Sequence, residues 1–350
     1  MIGNFLSPSG HTPQVCERLA ELFRAQGRDI YTTSSKSHPL SKIFSITLDL
    51  LKYKNSGKTL ILIDTFSGRA FLWAFWSALL CKFRGLPYIP VLHGGNLPYF
   101  AKNTLFSLLS HHYLRFGIQR VAPSPYLAKW VGTQDLSCQI IPNPLPDIFF
   151  NPSIRTSSLA YSSQPSGRIL WLRRLHALYR PQLALLAYTY FLEWFPQATL
   201  TLVGPEGGEG PACKLWVKQK SFGNRIRFIP FWDAATFVRE SQNYDVFLNT
   251  SRVDNTPSTL LEAAALHLPL VSTCVGGIPD LFSPDVHALL VSESENTALG
   301  LAHALRETLT QTQETNKRVN HAYQLALQRQ WEFIQPQWDA LFNSHPLSRK

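Results

Sequence analysis

The residues best suited to chemistry lie in one run, VDNTPSTLLEAAALHLPLVSTCVGGIPDL, from Val253 to Leu281. Two carboxylates, Asp254 and Glu262, stand around Pro257 with seven residues between them. The stretch STLLEAAALH reads as a helix, LPLVSTC as a buried strand, and Gly276 and Gly277 follow it. The first N–H groups of such a helix have no intrahelical partner and carry the positive end of its dipole. They can hold an anion or sugar hydroxyls. Glu262, about one turn in, can reach ribose hydroxyls as a carboxylate does in dinucleotide folds. Asp254 lies in the preceding loop, beside whatever the N–H groups hold, and GGIP lets backbone approach a ligand closely. Taken singly, each piece has a plainer reading. A carboxylate ahead of a helix caps it, and a double glycine turns the chain.

The elements that position these residues alternate between strand and helix. IGNFL reads as a short strand, PQVCERLAELFRAQG as a helix, and TLILIDT and PYIPVLHGG as continuous apolar strands of a parallel sheet. RVAPS and CQIIPNP add two short strands. The Ser- and Pro-rich stretch Asn151–Gly167 breaks the pattern and reads as a linker. Alternation restarts with the strand RILWLRR, the helix PQLALLAYTYFLEWF, and a strand running into the glycine-rich loop of ATLTLVGPEGGEG. RIRFIPF, YDVFLNTS and LPLVSTC follow as strands, and the tail HAYQLALQRQWEFIQPQWDALF as a helix interrupted at Pro336. Two doubly wound domains are expected: 1–150, then the linker 151–167, then 168–325, with a last helix, 326–350, returning to the first. Ligands of such sheets bind at the carboxyl ends of the strands.

Bulk composition agrees. At 350 residues the chain is too long for one typical core, and 45% hydrophobic and 12% aromatic content makes it globular. Its net charge of +10 is uneven: residues 1–150 hold fifteen Lys/Arg against seven Asp/Glu, and residues 151–350 eighteen against sixteen. A basic field in the first half suits anionic lipid, an acidic polymer or nucleic acid. Five scattered cysteines without a CxxC pair read as a reduced, cytoplasmic chain without structural zinc. MIGNFLSPSG reads as strand and turn, not as a secretory leader. The longest apolar run, Ala70–Cys81, is twelve residues and too short to span a bilayer. Flanked by Arg69, Lys82 and Arg84 and carrying Trp73 and Trp76, it fits a buried helix or an interfacial one.

The runs DNTPSTLLEA, LPLVST and GGIPDL resemble the signature of retaining glycosyltransferases of family 4, which have the GT-B fold. That signature has two acidic residues with seven between, then G-x-P-V-V and G-G-x-x-E. Here Asp254 replaces the first Glu, Thr256 stands where Phe is commonest, His267 replaces a Gly, and Asp280 replaces the last Glu. The resemblance covers most of the chain. It implies that Gly10 lies in a first loop contacting donor and acceptor, and that His93 in LHGGN lies beside the transferring sugar. It also implies that Arg173 contacts the donor diphosphate. The Lys that would join it is absent, and Arg180 is the nearest substitute.

What the resemblance implies, then, is a hexosyltransferase acting on a UDP- or GDP-sugar with retention of anomeric configuration. Asp254 and His93 would be catalytic. Gly10, Arg173, Arg180, Glu262, Thr256, Pro257, Ser258, Gly276 and Gly277 would bind the donor. Two guanidiniums can take the charge building on the leaving diphosphate without a metal. The chain contains no D-x-D triplet, so neither metal nor cofactor is expected. The expected partners are the nucleotide sugar, a glycan or lipid-linked acceptor and an anionic membrane surface at the cytoplasmic face, not nucleic acid. Trp331 and Trp338 read as packing anchors. Two other readings share the architecture: a nucleotide-sugar 2-epimerase, which needs acid/base groups around the sugar, and a non-catalytic binder of sugar nucleotides or lipid.

Overall fold

The computed structural model describes residues 1–7, 14–36, 38–53, 59–150 and 166–344, so most of the expected linker, 151–165, lies outside the described residues. The chain divides into two units, Met1–Pro144 with Trp331–Lys350, and Leu145–Gln330.

The first unit runs α1 (Val15–Ala25), α2 (Pro39–Lys52), β1 (Ile61–Thr65), α3 (Arg69–Phe83), β2 (Tyr88–Leu92), α4 (Leu97–Phe100), α5 (Thr104–Phe116), β3 (Val121–Ala122), α6 (Pro125–Gly132) and β4 (Gln139–Ile140). Its sheet is parallel, in the order β1-β2-β3-β4. Side chains alternate across it, as the strand period of two demands. Ile61, Ile63, Tyr88 and Leu92 join the core beneath α2, α3 and α5, while Leu62, Ile89, Val91 and Val121 face Leu19 and Phe23 of α1. The expected strand IGNFL does not form. Ile2 makes isolated parallel bridges to Thr33 and Ile63 and the chain then turns away.

The second unit runs β5 (Arg168–Leu172), α7 (Pro181–Phe191), β6 (Thr199–Val203), α8 (Gly210–Gln219), β7 (Ile226–Ile229), α9 (Ala234–Glu240), β8 (Val246–Asn249), α10 (Ser258–Ala265), β9 (Leu270–Thr273), α11 (Ile278–Leu281), β10 (Leu289–Val291), α12 (Thr297–Thr310) and α13 (Thr312–Leu327). Its six-stranded parallel sheet has the order β10-β9-β8-β5-β6-β7. The chain starts in the middle at β5, builds β6 and β7 to one side, then crosses to β8. The order therefore reverses between β5 and β8, and loops leaving neighbouring strands there diverge to opposite faces and open a crevice. Ile169, Trp171, Leu200 and Leu248 pack on one face, Leu170, Val203, Phe247 and Leu270 on the other.

The units divide at Pro144 rather than at 150. Leu145 donates its N–H to the Arg329 carbonyl at 2.9 Å, and Phe149 packs edge-on against Phe237, so both belong to the second core. The return begins at 331 rather than 326, because α13 lies on α10. The last helix, α14 (Trp331–Ser344), contains Pro336 without a break. The carbonyl that proline leaves unbonded is that of Glu332, which is exposed and can bind water.

Helix α14 supplies Ile334, Trp338 and Leu341 to the second face of the first sheet. Phe23 meets the rings of Trp331, Trp338 and Phe342 edge-on at 5.7, 5.5 and 5.4 Å. Trp338→Ala should therefore destabilise the protein by about 3–5 kcal/mol. Phe333→Ala, on the exposed side of the same helix, should stay within about 0.5 kcal/mol. Thermal or chemical denaturation of the two variants checks the contrast.

Candidate functional site

The site of the second unit forms where the sheet order reverses. Loop 173–180 leaves the carboxyl end of β5, and loop 250–257 leaves the carboxyl end of β8, the strand beside it. The two loops are laced together. Arg252 donates its N–H to the Leu178 carbonyl at 2.8 Å, and the Thr250 hydroxyl donates to the Tyr179 carbonyl at 2.7 Å. From below, the buried Trp171 indole donates to the Thr250 hydroxyl at 2.9 Å.

Arg173 and Asp254 close this lacing. The Arg173 Nη2 lies 2.6 Å from the Asp254 carboxylate, with only 13% and 15% of the two side chains exposed. The Tyr179 ring centroid lies 5.1 Å from the guanidinium, and the buried Nε of Arg173 has no partner. Burial pushes the Asp254 carboxyl up from its usual range, and Arg173 and the Asn255 N–H pull it back. Asp254 is not the helix cap. Pro257 holds the cap position of α10, and Asp254 accepts from the Asn255 N–H at 2.9 Å instead.

Glu262 lies on α10, partly buried, within electrostatic reach of Arg173. Among the described residues no hydrogen bond to its carboxylate is recorded. Burial pushes its pKa up to about 7, and Arg173 opposes the shift. A carboxylate in this condition gains from any ligand that donates hydroxyl hydrogen bonds to its charged form. The Thr256 hydroxyl, just before the helix, is likewise buried without a partner. Pro257 is buried and Ser258, the first residue of α10, is exposed.

Gly276 and Gly277 serve the same loop from the next strand. Gly276 has φ +58°, and a Cβ there would come within 2.1 Å of the Asp254 carbonyl oxygen. Gly277 donates its N–H to that oxygen at 2.9 Å. The double glycine thus holds the backbone of Asp254 in place. A substitution at Gly276 meets both the left-handed conformation and the clash. His267, which replaces a glycine of the resembled signature, has φ +55° and stacks on Tyr323 at 4.0 Å.

Arg180 is committed to structure. Its Nε and Nη2 donate to the carbonyls of Thr250 and Ser251, both at 2.9 Å, and its Nη1 pairs with Glu293. It anchors the start of the Asp254 loop. His93 belongs to the first unit, at the end of β2. Its Nε2 stands 3.3 Å from the Asp64 carboxylate, both side chains at most 5% exposed, and Phe66 stacks on the ring. Both ring nitrogens of His93 and Oδ2 of Asp64 lack hydrogen bonds. Gly10 lies outside the described residues.

Three contributors were not singled out from the sequence. Arg174, exposed at the mouth of β5, bonds the Glu206 carbonyl. Glu206 folds the glycine-rich loop about itself, accepting from the N–H groups of Gly207, Gly208 and Gly210. Asp64 was read only as part of a strand. The adjacent arginines of LRR and the acidic residue heading EGGEG carried the first two signals.

Residues 162–325 match the model of the family Glycosyl transferases group 1. Over that stretch, a little under half of the chain, the sequence is similar to the group 1 glycosyltransferases. Solved structures extend the likeness over nearly the whole chain. A sucrose-phosphate synthase from Thermosynechococcus elongatus superposes with a TM-score of 0.73 at 16% identity, over 94% of this chain and 92% of that one. HepE from Anabaena, in complex with UDP and glucose, gives 0.70 at 17%, over 93% and 88%. The pneumococcal O-GlcNAc transferase GtfA, in complex with UDP and GlcNAc, gives 0.68 at 14%, over 85% and 59%. These likenesses establish the GT-B fold. No curated protein matches the sequence. Within residues 162–325, the switch-point crevice is the place where Arg173, Asp254, Glu262 and the double glycine meet.

Arg173→Met should leave Asp254 buried without its counter-charge and cost about 3 kcal/mol. Combined with Asp254→Asn, the loss should fall well short of the sum of the two single losses, because the pair acts as a unit. Urea denaturation of the three variants measures this, and additive losses would show that the contact carries no coupling.

Proposed function

We propose that the protein transfers a hexose from a nucleotide-sugar donor to an acceptor, with retention at the anomeric carbon and without a metal ion. The observation that carries the reading is the meeting of Arg173, Asp254 and Glu262 at the β5/β8 switch point, inside the residues that match the group 1 family. An acceptor hydroxyl oxygen bonds to the anomeric carbon as the bond to the nucleoside diphosphate breaks, negative charge builds on the leaving phosphate, and the hydroxyl proton passes to that phosphate. Arg173 and the free N–H groups at the start of α10 meet that charge. Glu262 takes the ribose hydroxyls, and Asp254 takes a hydroxyl of the sugar. The Arg173–Asp254 pair therefore opens as donor binds: the guanidinium exchanges a carboxylate for phosphate, and the carboxylate exchanges a guanidinium for hydroxyls.

UDP is the favoured nucleotide, because HepE and GtfA have been solved with it. His93, 3.3 Å from Asp64, is the candidate catalytic group of the first unit. The acceptor is a glycan or a lipid-linked sugar, and the enzyme works in the cytoplasm, at the membrane face. The 2-epimerase reading needs free acid/base groups around the sugar, and the Asp254 carboxylate is already engaged by Arg173.

Incubation with UDP-glucose, UDP-GlcNAc and their GDP counterparts in EDTA should release nucleoside diphosphate and, by NMR, a sugar of unchanged anomeric configuration. Asp254→Asn should slow the release about a hundredfold or more. Activity that appears only on adding a divalent ion would overturn the metal-free mechanism. A donor converted to its 2-epimer would establish the competing reading.

A further inference from the structure

Among the described residues, the first unit exposes a large apolar face. Helices α2, α3 and α5 lie side by side over one face of its sheet. Each buries one side in the core, and each also has large apolar residues on the side that faces away. On α3, Phe71, Ala74, Ala78 and Cys81 are buried, while Leu72, Trp76, Leu79 and Phe83 form an exposed stripe spaced at four, three and four residues. That spacing follows a single line along a helix. Phe83 is 83% exposed. Helix α5 adds Leu105 and Leu108 early and Phe116 at its end, and α2 adds Leu40, Phe44 and Leu51. Between α3 and α5 runs a groove of about 430 Å³, floored by Phe75, Leu109 and Tyr113.

Charge distinguishes this face from ordinary exposed hydrophobics. Residues 65–134 contain no Asp or Glu and seven Lys or Arg. Arg69, Lys82 and Arg115 are exposed on α3 and α5, and Lys102 on the turn before α5. Lys82 lies along the groove with its Nζ 3.4 Å from the Phe116 centroid, its stem on apolar surface and its charge at the rim. On α2 the one acid, Asp49, accepts from the Tyr31 and Thr33 hydroxyls. Aliphatic and aromatic stripes rimmed by cations, with no anion among 65–134, complement a surface that is apolar inside and anionic at its boundary.

We propose that α2, α3 and α5 form a docking face for an anionic lipid bilayer, with the α3 stripe entering the acyl boundary and Arg69, Lys82, Lys102 and Arg115 meeting the headgroups. No helix among the described residues is long and apolar enough to cross a membrane, so the contact is an in-plane one. The proposal deepens the reading of a lipid-linked acceptor and rests on it only for what the membrane supplies. The docking itself stands on the face alone.

Flotation with phosphatidylcholine vesicles containing about 30% phosphatidylglycerol tests it, with no nucleotide present. The full chain should float with these vesicles at low salt, stay in solution with phosphatidylcholine alone, and detach as salt rises. Leu79→Ser with Phe83→Ser should weaken partitioning about tenfold or more, and Lys82→Glu should weaken it most at low salt. All three positions are exposed, and an unchanged melting temperature shows that the variants fold. Failure to float with anionic vesicles, or equal flotation of the wild type and the double variant, overturns the proposal. A wild-type dimer in sedimentation that the double variant dissolves, without vesicle binding, assigns the face to a second copy instead. Nucleotide binding is read separately by thermal shift, so a missing membrane contact and a missing donor site give different results.

Discussion

The ion pair between Arg173 and Asp254 is the contact on which the second unit's site depends. Two loops leave neighbouring strands at the point where the strand order reverses, and nothing in the sheet itself would hold them together. Hydrogen bonds between 178–180 and 250–252 tie the end of one loop to the start of the other, and the ion pair ties Arg173, where the first loop leaves β5, to Asp254. Gly276 and Gly277 then grip the Asp254 backbone from the third loop. A charge pair this poorly hydrated is costly to form and costly to break. It fits a site that must present a cation and an anion to one ligand at once.

The first unit solves a different problem with similar means. Asp64, at the end of β1, is nearly buried, with His93 beside it and Lys42 and Cys16 in its surroundings. Burial pushes the Lys42 ammonium down and the Cys16 thiol up, so both charged forms are disfavoured where Asp64 sits. Apart from the 3.3 Å contact between them, Oδ2 of Asp64 and the ring nitrogens of His93 are buried without a well-formed hydrogen bond, which is a costly arrangement. The same unit turns three helices with apolar outer faces toward solvent, an arrangement of low stability value to a monomer and of use to a protein that works against another surface.

Much of this was legible in the sequence because the signals were local. Continuous apolar runs announced β1, β2, β5 and β6, and the acidic pair with its double glycine marked the loop and helix that follow β8. Long-range contacts were not legible. Arg180 has the residue type of a phosphate clamp, yet its partners are carbonyls seventy residues away, fixed only by the pairing of β5 with β8. The role of Gly276 also needed tertiary structure, since its constraint is the carbonyl of Asp254. The unit boundary moved because Leu145 bonds to Arg329, a contact no linker composition reveals. The stripe on α3 was visible only as an apolar run, because a helix apolar on both sides has no periodicity to read.

The most direct test of the central claim is the pH dependence of nucleotide-sugar binding to the wild type and Glu262→Gln. In the free protein the Glu262 carboxyl is raised to about 7, so its stability contribution favours the protonated form and falls as pH rises from about 4.5 to about 7. In the proposed role ribose hydroxyls would donate to the ionised carboxylate, so binding would expel the proton, and the affinity of the wild type should rise up to about pH 7 and level off above it. Calorimetry on UDP-glucose should find that rise, with weaker and pH-independent binding by the variant. Equal affinities and equal profiles in the two proteins would contradict the assignment of Glu262 to the donor.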